Sequence, residues 1–284
     1  MPIKLFDKQR NILEVSFVQF SGGERHVQLG DFEAGREYIL RADLRTSNDV
    51  FDLLLTANAL NHRDEECELY IEIPYLPYAR QDRVCAPGQA FSLKVLAGLL
   101  GQIENVVKMT IWDCHSAVGV DVTGAANVAA QDIIKANAEL SAMIMDLKSV
   151  VICPDKGAVT RTQNIVNAFE KDFQPDPIVY CEKVRDPATG QITHTDVKVE
   201  NLEGRTAIIT DDICDGGYTF IKVAEQLKAK GAGKVILFVT HGIFAKGLDV
   251  FEGLIDHVYT TDSFEHTPDP RLTVIPYNFP FFKT

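Results

Sequence analysis

Asp211 and Asp212 close an apolar run, Ile208-Ile209-Thr210, and Asp215-Gly216-Gly217-Tyr218-Thr219 follows at once. A helical pattern begins directly after this turn. Such a strand, glycine turn and helix start leaves backbone N–H groups free to hold a phosphate. Paired acids at a strand end suit sugar hydroxyls or a metal ion. A sugar that carries a phosphate is the ligand this chemistry describes. Tyr218 is bulky at a place where a small residue would let backbone approach a ligand.

Three further segments carry charge at useful spacing. Arg80-Gln81-Asp82-Arg83 follows Pro74-Tyr75-Leu76-Pro77-Tyr78, and two arginines so stiffened suit bidentate phosphate binding; a solvated loop with surface ion pairs is the alternative. Asp113 and His115 lie two apart past an apolar strand and share a face if the chain is extended. They suit a divalent metal or a polyphosphate, against the alternative of a buried His bonded to its neighbour. Lys183 and Arg185 open a stretch to Thr193 that holds Pro187 and Gly190 and reads as a mobile loop. Two cations on a closing loop could stabilise a phosphoryl group in transfer, although loop cations are commonly just solvated. His241 ends an apolar strand and is as consistent with structure as with function.

Other chemistries are excluded. There is no GxxxxGK[ST], so any ATP use does not rest on a P-loop, and there is no G-x-S-x-G or HExxH. The 284 residues carry a net charge of −12, which argues against nucleic acid as a partner because phosphate backbones select basic faces. The six cysteines form no CxxC and no zinc-ligand spacing, which fits a reduced, cytoplasmic setting. No signal peptide and no membrane-length apolar run are evident, so no membrane partner is expected.

The elements that position these residues alternate between strand and helix. Strands are expected at 15–20 and 25–29 around Ser21-Gly22-Gly23 (a hairpin), and at 38–41, 69–73, 106–112, 150–153, 178–181, 207–210, 235–240 and 272–275. Helices are expected from a Ser47 cap through Leu60, and over 91–103, 131–147, 156–169 and 219–230. This is an α/β pattern with largely parallel sheets, in which ligands gather beyond the carboxyl ends of strands. Four such ends carry functional groups: Tyr78 to Arg83, Asp113 with His115, Asp155, and Asp211 to Thr219. The length suits one large domain or two ordinary ones, with a boundary near 135.

Together the segments resemble the ribose-phosphate diphosphokinases, or PRPP synthetases. The matching pieces are 74–83, Asp113-Cys114-His115, Cys153-Pro154-Asp155-Lys156-Gly157-Ala158, Glu182-Lys183-Val184-Arg185, Asp211-Asp212-Ile213-Cys214-Asp215 and Thr240-His241-Gly242-Ile243-Phe244, in the family's order. The resemblance implies two phosphoribosyltransferase-like (type I) domains, 1–135 with ATP-contacting segments and 136–284 with the catalytic and ribose-phosphate loops. It implies transfer of the β,γ-pyrophosphoryl group of Mg-ATP to the anomeric hydroxyl of ribose 5-phosphate, with Mg2+ as cofactor and AMP as leaving product. Arg80 and Gln81 would contact ATP, and His115 and Asp155 would lie at the Mg-ATP site. Lys183 and Arg185 would be catalytic. Asp211, Asp212, Asp215, Gly216, Gly217, Tyr218 and Thr219 would hold the ribose phosphate. Phe20 and Glu24 resemble hairpin residues that bind adenine from a neighbouring subunit, which implies a homo-oligomer.

The sequence departs from that pattern in two informative places. The family hairpin usually reads Phe-Ser-Asp-Gly-Glu, and Gly22 stands where the Asp would be. The phosphate loop usually reads Asp-Thr-Gly-Gly-Thr; here one hydroxyl donor is missing and Tyr218 replaces a small residue. Tyr218 then either points outward or stacks on a larger group at the 5-position, such as that of ADP-ribose. A non-catalytic regulatory homologue is the third expectation, opposed by the retained Lys183 and Arg185.

Overall fold

Apolar runs that are buried on both faces build the centre of each half of the chain. The structure, a computed structural model, describes residues 2–33, 35–170, 177–185, 192–278 and 280–281, with backbone only at 183–185 and 192–195. It divides into two compact units, 1–128 with 278–284, and 129–277.

The first unit holds a six-stranded sheet. Strands β1 (Ile3–Asp7), β2 (Ile12–Leu13), β5 (Glu37–Ala42), β6 (Glu68–Ile73), β7 (Val106–Trp112) and β8 (Ala126–Val128) are ordered β2-β1-β5-β6-β7-β8. β1 runs antiparallel to both neighbours, and β5 through β8 are parallel. A separate hairpin, β3 (Val15–Gln19) and β4 (Arg25–Leu29), pairs antiparallel around Ser21-Gly22-Gly23 as expected. It is tied to helix α1 (Ser47–Arg63) by Arg25, which donates from Nε to Asp52 Oδ1 at 2.8 Å and from Nη2 to Oδ2. The cap of α1 is Thr46 rather than Ser47. Its hydroxyl accepts from the Asp49 N–H while Asp49 accepts from the Thr46 N–H, a reciprocal capping box. Val50, Leu53, Ala57 and Leu60 then fall on one buried face at helical spacing. Helix α2 (Ser92–Leu100) buries Leu93, Leu96, Ala97 and Leu100, and the short α3 (Ala117–Thr123) follows β7.

The second unit holds a seven-stranded sheet. Its strands are β9 (Ser149–Cys153), β10 (Ile178–Arg185), β11 (Ile192–Val197), β12 (Thr206–Cys214), β13 (Lys234–Gly242), β14 (His257–Thr261) and β15 (Leu272–Ile275), ordered β11-β10-β9-β12-β13-β14-β15. Only β11 is antiparallel to its neighbour. β9 is buried throughout and β13 nearly so, which is how strands covered on both faces read in sequence. The helix expected over 131–147 is two, α4 (Ala130–Lys135) and α5 (Ala138–Met145), because Asn137 caps the second by accepting from the Leu140 N–H at 2.8 Å. The helix expected from Lys156 begins as a 3-10 turn at 156–158 and continues as α6 (Val159–Ala168). Helix α7 (Tyr218–Ala229) buries Phe220, Val223, Ala224 and Leu227.

The stretch read as a loop from Lys183 to Thr193 is in part strand. Lys183 pairs with Thr195 and Arg185 with Ile192 in the β10–β11 ladder, so both cations stand on a hairpin arm. β-branched residues at Ile178, Val179 and Val184 and at Ile192, Thr193, Thr195 and Val197 favour the pairing on both sides of the charges. Residues 186–191 and the side chains of Lys183 and Arg185 lie outside the described residues. No helix among the described residues is long and apolar enough to cross a membrane.

Candidate active site

The first unit gathers Arg80, Gln81 and His115 around one cavity of about 500 Å3, with Arg83, Cys85 and Ser92 also in its wall. The cavity forms because β6 and β7 are parallel neighbours, so the segments beyond their carboxyl ends meet. Gln81 is set by Ser92, whose hydroxyl donates to its Oε1 at 2.6 Å. Asp82 is buried under the loop. It accepts from Arg83 Nε (2.7 Å) and Nη2 (2.9 Å) and from the Ser116 hydroxyl (2.8 Å). The hydrogen bond from Arg83, aided by Ser116 and opposed by burial, holds the Asp82 carboxyl at about 2. Both arginines line the cavity, and Arg83 is in addition bound to Asp82.

Asp113 and His115 do not share a face. Asp113 adopts φ 37° and is buried, with its N–H donating to Val128 O at 2.7 Å, whereas His115 is exposed at the cavity wall. The left-handed residue turns the chain, which the extended-strand expectation did not foresee. His115 is therefore not the buried histidine of the alternative reading.

On the hairpin, Phe20 is 54% exposed and the Phe20 N–H donates to Glu24 O at 2.9 Å across the turn. A Cβ at Gly22 would fall 2.4 Å from Glu24 Oε2, so the Glu24 carboxylate occupies the space beside the glycine.

In the second unit, β12 runs through Asp211 and Asp212 to Cys214 instead of ending at Thr210. Both acids meet Arg161 of α6, which no reading of the sequence had singled out: Nη1 is 3.5 Å from Asp211 Oδ1 and Nη2 is 3.6 Å from Asp212 Oδ2. The Asp212 N–H donates to Asp211 Oδ1 at 3.0 Å. Burial, and then the Asp212 charge, push the Asp211 carboxyl well above its ordinary range, and Arg161 opposes them. Nearby, Asp155 Oδ1 caps the 3-10 turn, accepting from the N–H groups of Gly157 (2.9 Å) and Ala158 (3.3 Å).

Asp215, Gly216 and Gly217 link β12 to α7. Gly217 has φ 76°, and a Cβ there would fall 2.8 Å from the Phe251 ring. The loop is fixed along one side by Ile243 and Phe244 N–H groups donating to Cys214 O (2.8 and 3.1 Å) and by Ala245 N–H donating to Asp215 O (3.1 Å). Tyr218 is the first residue of α7 and is 57% exposed, with Lys222 Nζ 5.9 Å from its ring centroid. Thr219 stands one residue into the helix and is half-buried. His241 is buried, and Nδ1 lies 3.0 Å from Ser263 Oγ.

The phosphoribosyl transferase domain matches residues 125–256 of this chain. A ribose-phosphate pyrophosphokinase of Haemophilus influenzae is 30% identical over 264 residues, spanning 88% of this chain and 78% of that protein. The chain belongs to the ribose-phosphate pyrophosphokinase family. A family member from Pyrococcus furiosus is 28% identical over 271 residues, covering 93% of this chain and 91% of its own. The fold agrees with the crystal structure of phosphoribosylpyrophosphate synthetase from Mycobacterium smegmatis, at TM-score 0.76 and 21% identity over 94% of this chain and 87% of that one. As a family member the chain is a pyrophosphokinase-type transferase, with the α/β sheets expected of the family.

The cavity at Arg80 has the charge for a polyphosphate, and the acids with the glycine loop suit a sugar phosphate. Among the described residues no group of three or more His, Cys, Asp or Glu forms a metal cage. Mg2+ keeps several waters and is commonly carried on substrate phosphates with one or two protein ligands, so the donors present fit that ion better than they fit a fully protein-bound metal.

Proposed function

We propose that the protein transfers the β,γ-pyrophosphoryl group of Mg-ATP to the anomeric hydroxyl of ribose 5-phosphate, giving 5-phosphoribosyl 1-pyrophosphate and AMP. The observation that carries this reading is the Asp211–Asp212 pair followed at once by the Gly216-Gly217 turn at the start of α7, in a chain of this family. The anomeric oxygen attacks the β-phosphorus, the bond from that phosphorus to the α,β-bridging oxygen breaks, and AMP leaves with those electrons. The hydroxyl proton passes to solvent.

Asp211 and Asp212 accept hydrogen bonds from the ribose hydroxyls, and Asp215 to Thr219 hold the 5-phosphate on backbone N–H groups. Arg80, Gln81 and His115 bind ATP. Mg2+ would be carried on the substrate phosphates, with His115 and Asp155 each proposed from the resemblance as a ligand, and it would supply positive charge against the transferring phosphates. Lys183 and Arg185 are assigned the catalytic charge at the transferring group. Removing one such donor commonly costs on the order of a hundredfold in kcat or more. Phe20 and Glu24, on the exposed hairpin tip, would serve adenine bound to a second copy in a homo-oligomer.

A second reading keeps the chemistry and enlarges the acceptor to a 5-substituted ribose such as ADP-ribose. The exposed ring of Tyr218 beside the phosphate loop favours it. AMP release from Mg-ATP, measured with ribose 5-phosphate and with ADP-ribose, tests both. No AMP with either acceptor overturns the proposal, and a clear preference for ribose 5-phosphate removes the second reading. Lys183→Ala is expected to lower kcat about a hundredfold with little change in either KM. Unchanged kcat would withdraw its catalytic role.

A further inference from the structure

Lys246 is delivered to the rim of the glycine loop by backbone rather than by its own tip. The Ala245 N–H donates to Asp215 O at 3.1 Å and the Gly247 N–H donates to Phe244 O at 2.8 Å, so the residues on both sides are pinned. A Cβ at Gly216 would lie 3.7 Å from Lys246 Cε and 3.8 Å from Cδ, which places the aliphatic stem across that glycine. Lys246 is exposed, and among the described residues no acceptor pairs with its ammonium. The loop thus has an arm of positive charge above Gly216, with the open Tyr218 ring and Lys222 on the α7 side.

One phosphate fits the N–H groups at the start of α7. A cation held beyond those groups serves negative charge that extends past the first phosphate. We propose that Lys246 is a specificity-determining residue that binds the second phosphoryl group of an acceptor whose ribose 5-oxygen carries a diphosphate. It rests on the reading of this loop as the acceptor's phosphate site and on the second reading above, in which the acceptor carries a diphosphate. No bond is made or broken by Lys246; its role is binding alone.

The test measures binding of ribose 5-phosphate and of ADP-ribose to the full-length protein by calorimetry, in wild type, Lys246→Ala and Lys246→Arg. AMP release is followed in parallel. Lys246→Ala is expected to weaken ADP-ribose about tenfold or more, the range for a hydrogen bond to a charged group, and to weaken ribose 5-phosphate by less than about threefold. The KM for ADP-ribose should rise with kcat and the KM for ATP unchanged, and Lys246→Arg should retain most of the affinity. Equal weakening of both acceptors, or no weakening of either, overturns the role of Lys246 while leaving the loop's assignment standing. Failure of the wild type to bind either acceptor overturns the loop's assignment and this proposal together.

Discussion

The cavity at Arg80 and the acid pair at Asp211 arise from the same device and are built to opposite electrostatic ends. Each lies where parallel strands finish, β6 with β7 in one unit and β9 with β12 in the other. In the first, the carboxylate is buried beneath the loop as an anchor and a cation faces the open space: Asp82 is held by Arg83 and Ser116, and Arg80 and His115 line the wall. In the second, Arg161 of α6 pairs with both acids of the strand end, and all three side chains are largely buried. A parallel sheet thus offers a place for a site without dictating its charge.

The largest expected effect comes from breaking the second region. Arg161→Met leaves one half-buried and one buried acid without this cation, which should cost about 1–3 kcal/mol of stability. Acceptor KM should rise on the order of tenfold while ATP KM holds. Arg161 opposes the upward shift of Asp211, so its loss raises that carboxyl further and the acidic limb of acceptor binding moves to higher pH. Acceptor KM measured against pH for the variant and for Arg161→Lys checks this; a limb that stays in place would assign Arg161 to packing alone.

In the first region the expected effect falls on KM alone, without the loss of stability, and is smaller in that sense. Arg80→Ala should raise the KM for ATP about tenfold and leave the acceptor KM within about twofold, since one cation of several is removed from a solvent-open wall. Movement of both KM values together would contradict the division of labour drawn here. The smallest effect concerns the anchor. Asp82 has its folded-state pKa depressed to about 2 from 3.8, so its stabilisation is full above the higher value and is lost as pH falls through the lower. The Tm difference between wild type and Asp82→Asn, a few degrees near neutrality, should close over that window. A difference that is constant across it would show that the loop does not depend on the charged carboxylate.

The sequence was most legible where local pattern and final environment agree. The apolar runs at 150–152 and 235–239 became central strands, and Ser21-Gly22-Gly23 became the hairpin turn. Other features were set by residues far apart in the chain. Arg161 meets acids 50 positions later, and nothing in its helix marks that partner. The strand through Asp211 and Asp212 outlasts its apolar stretch because β13 pairs alongside it as far as Gly242. β14, His257-Val258-Tyr259-Thr260-Thr261, was not foreseen in a stretch rich in turns and charge, although it is buried between β13 and β15. The Asn137 cap was readable in principle, since Asn before a run of helix formers is a start signal. The glycine loop itself was legible in type, and the Tyr218 ring stands exposed beside it.

Gly217 is constrained twice, by its left-handed backbone and by the Phe251 ring 2.8 Å from where a Cβ would stand. Either restriction alone could be relieved by one further change; the two together require a backbone shift and a new aromatic neighbour at once. Variation that alters acceptor preference is therefore channelled around this point, to positions 218 and 246 on the open sides of the loop. A mutational library aimed at new acceptors should hold Gly217 and Phe251 fixed and vary those two sites, where the fold leaves the chain free to drift.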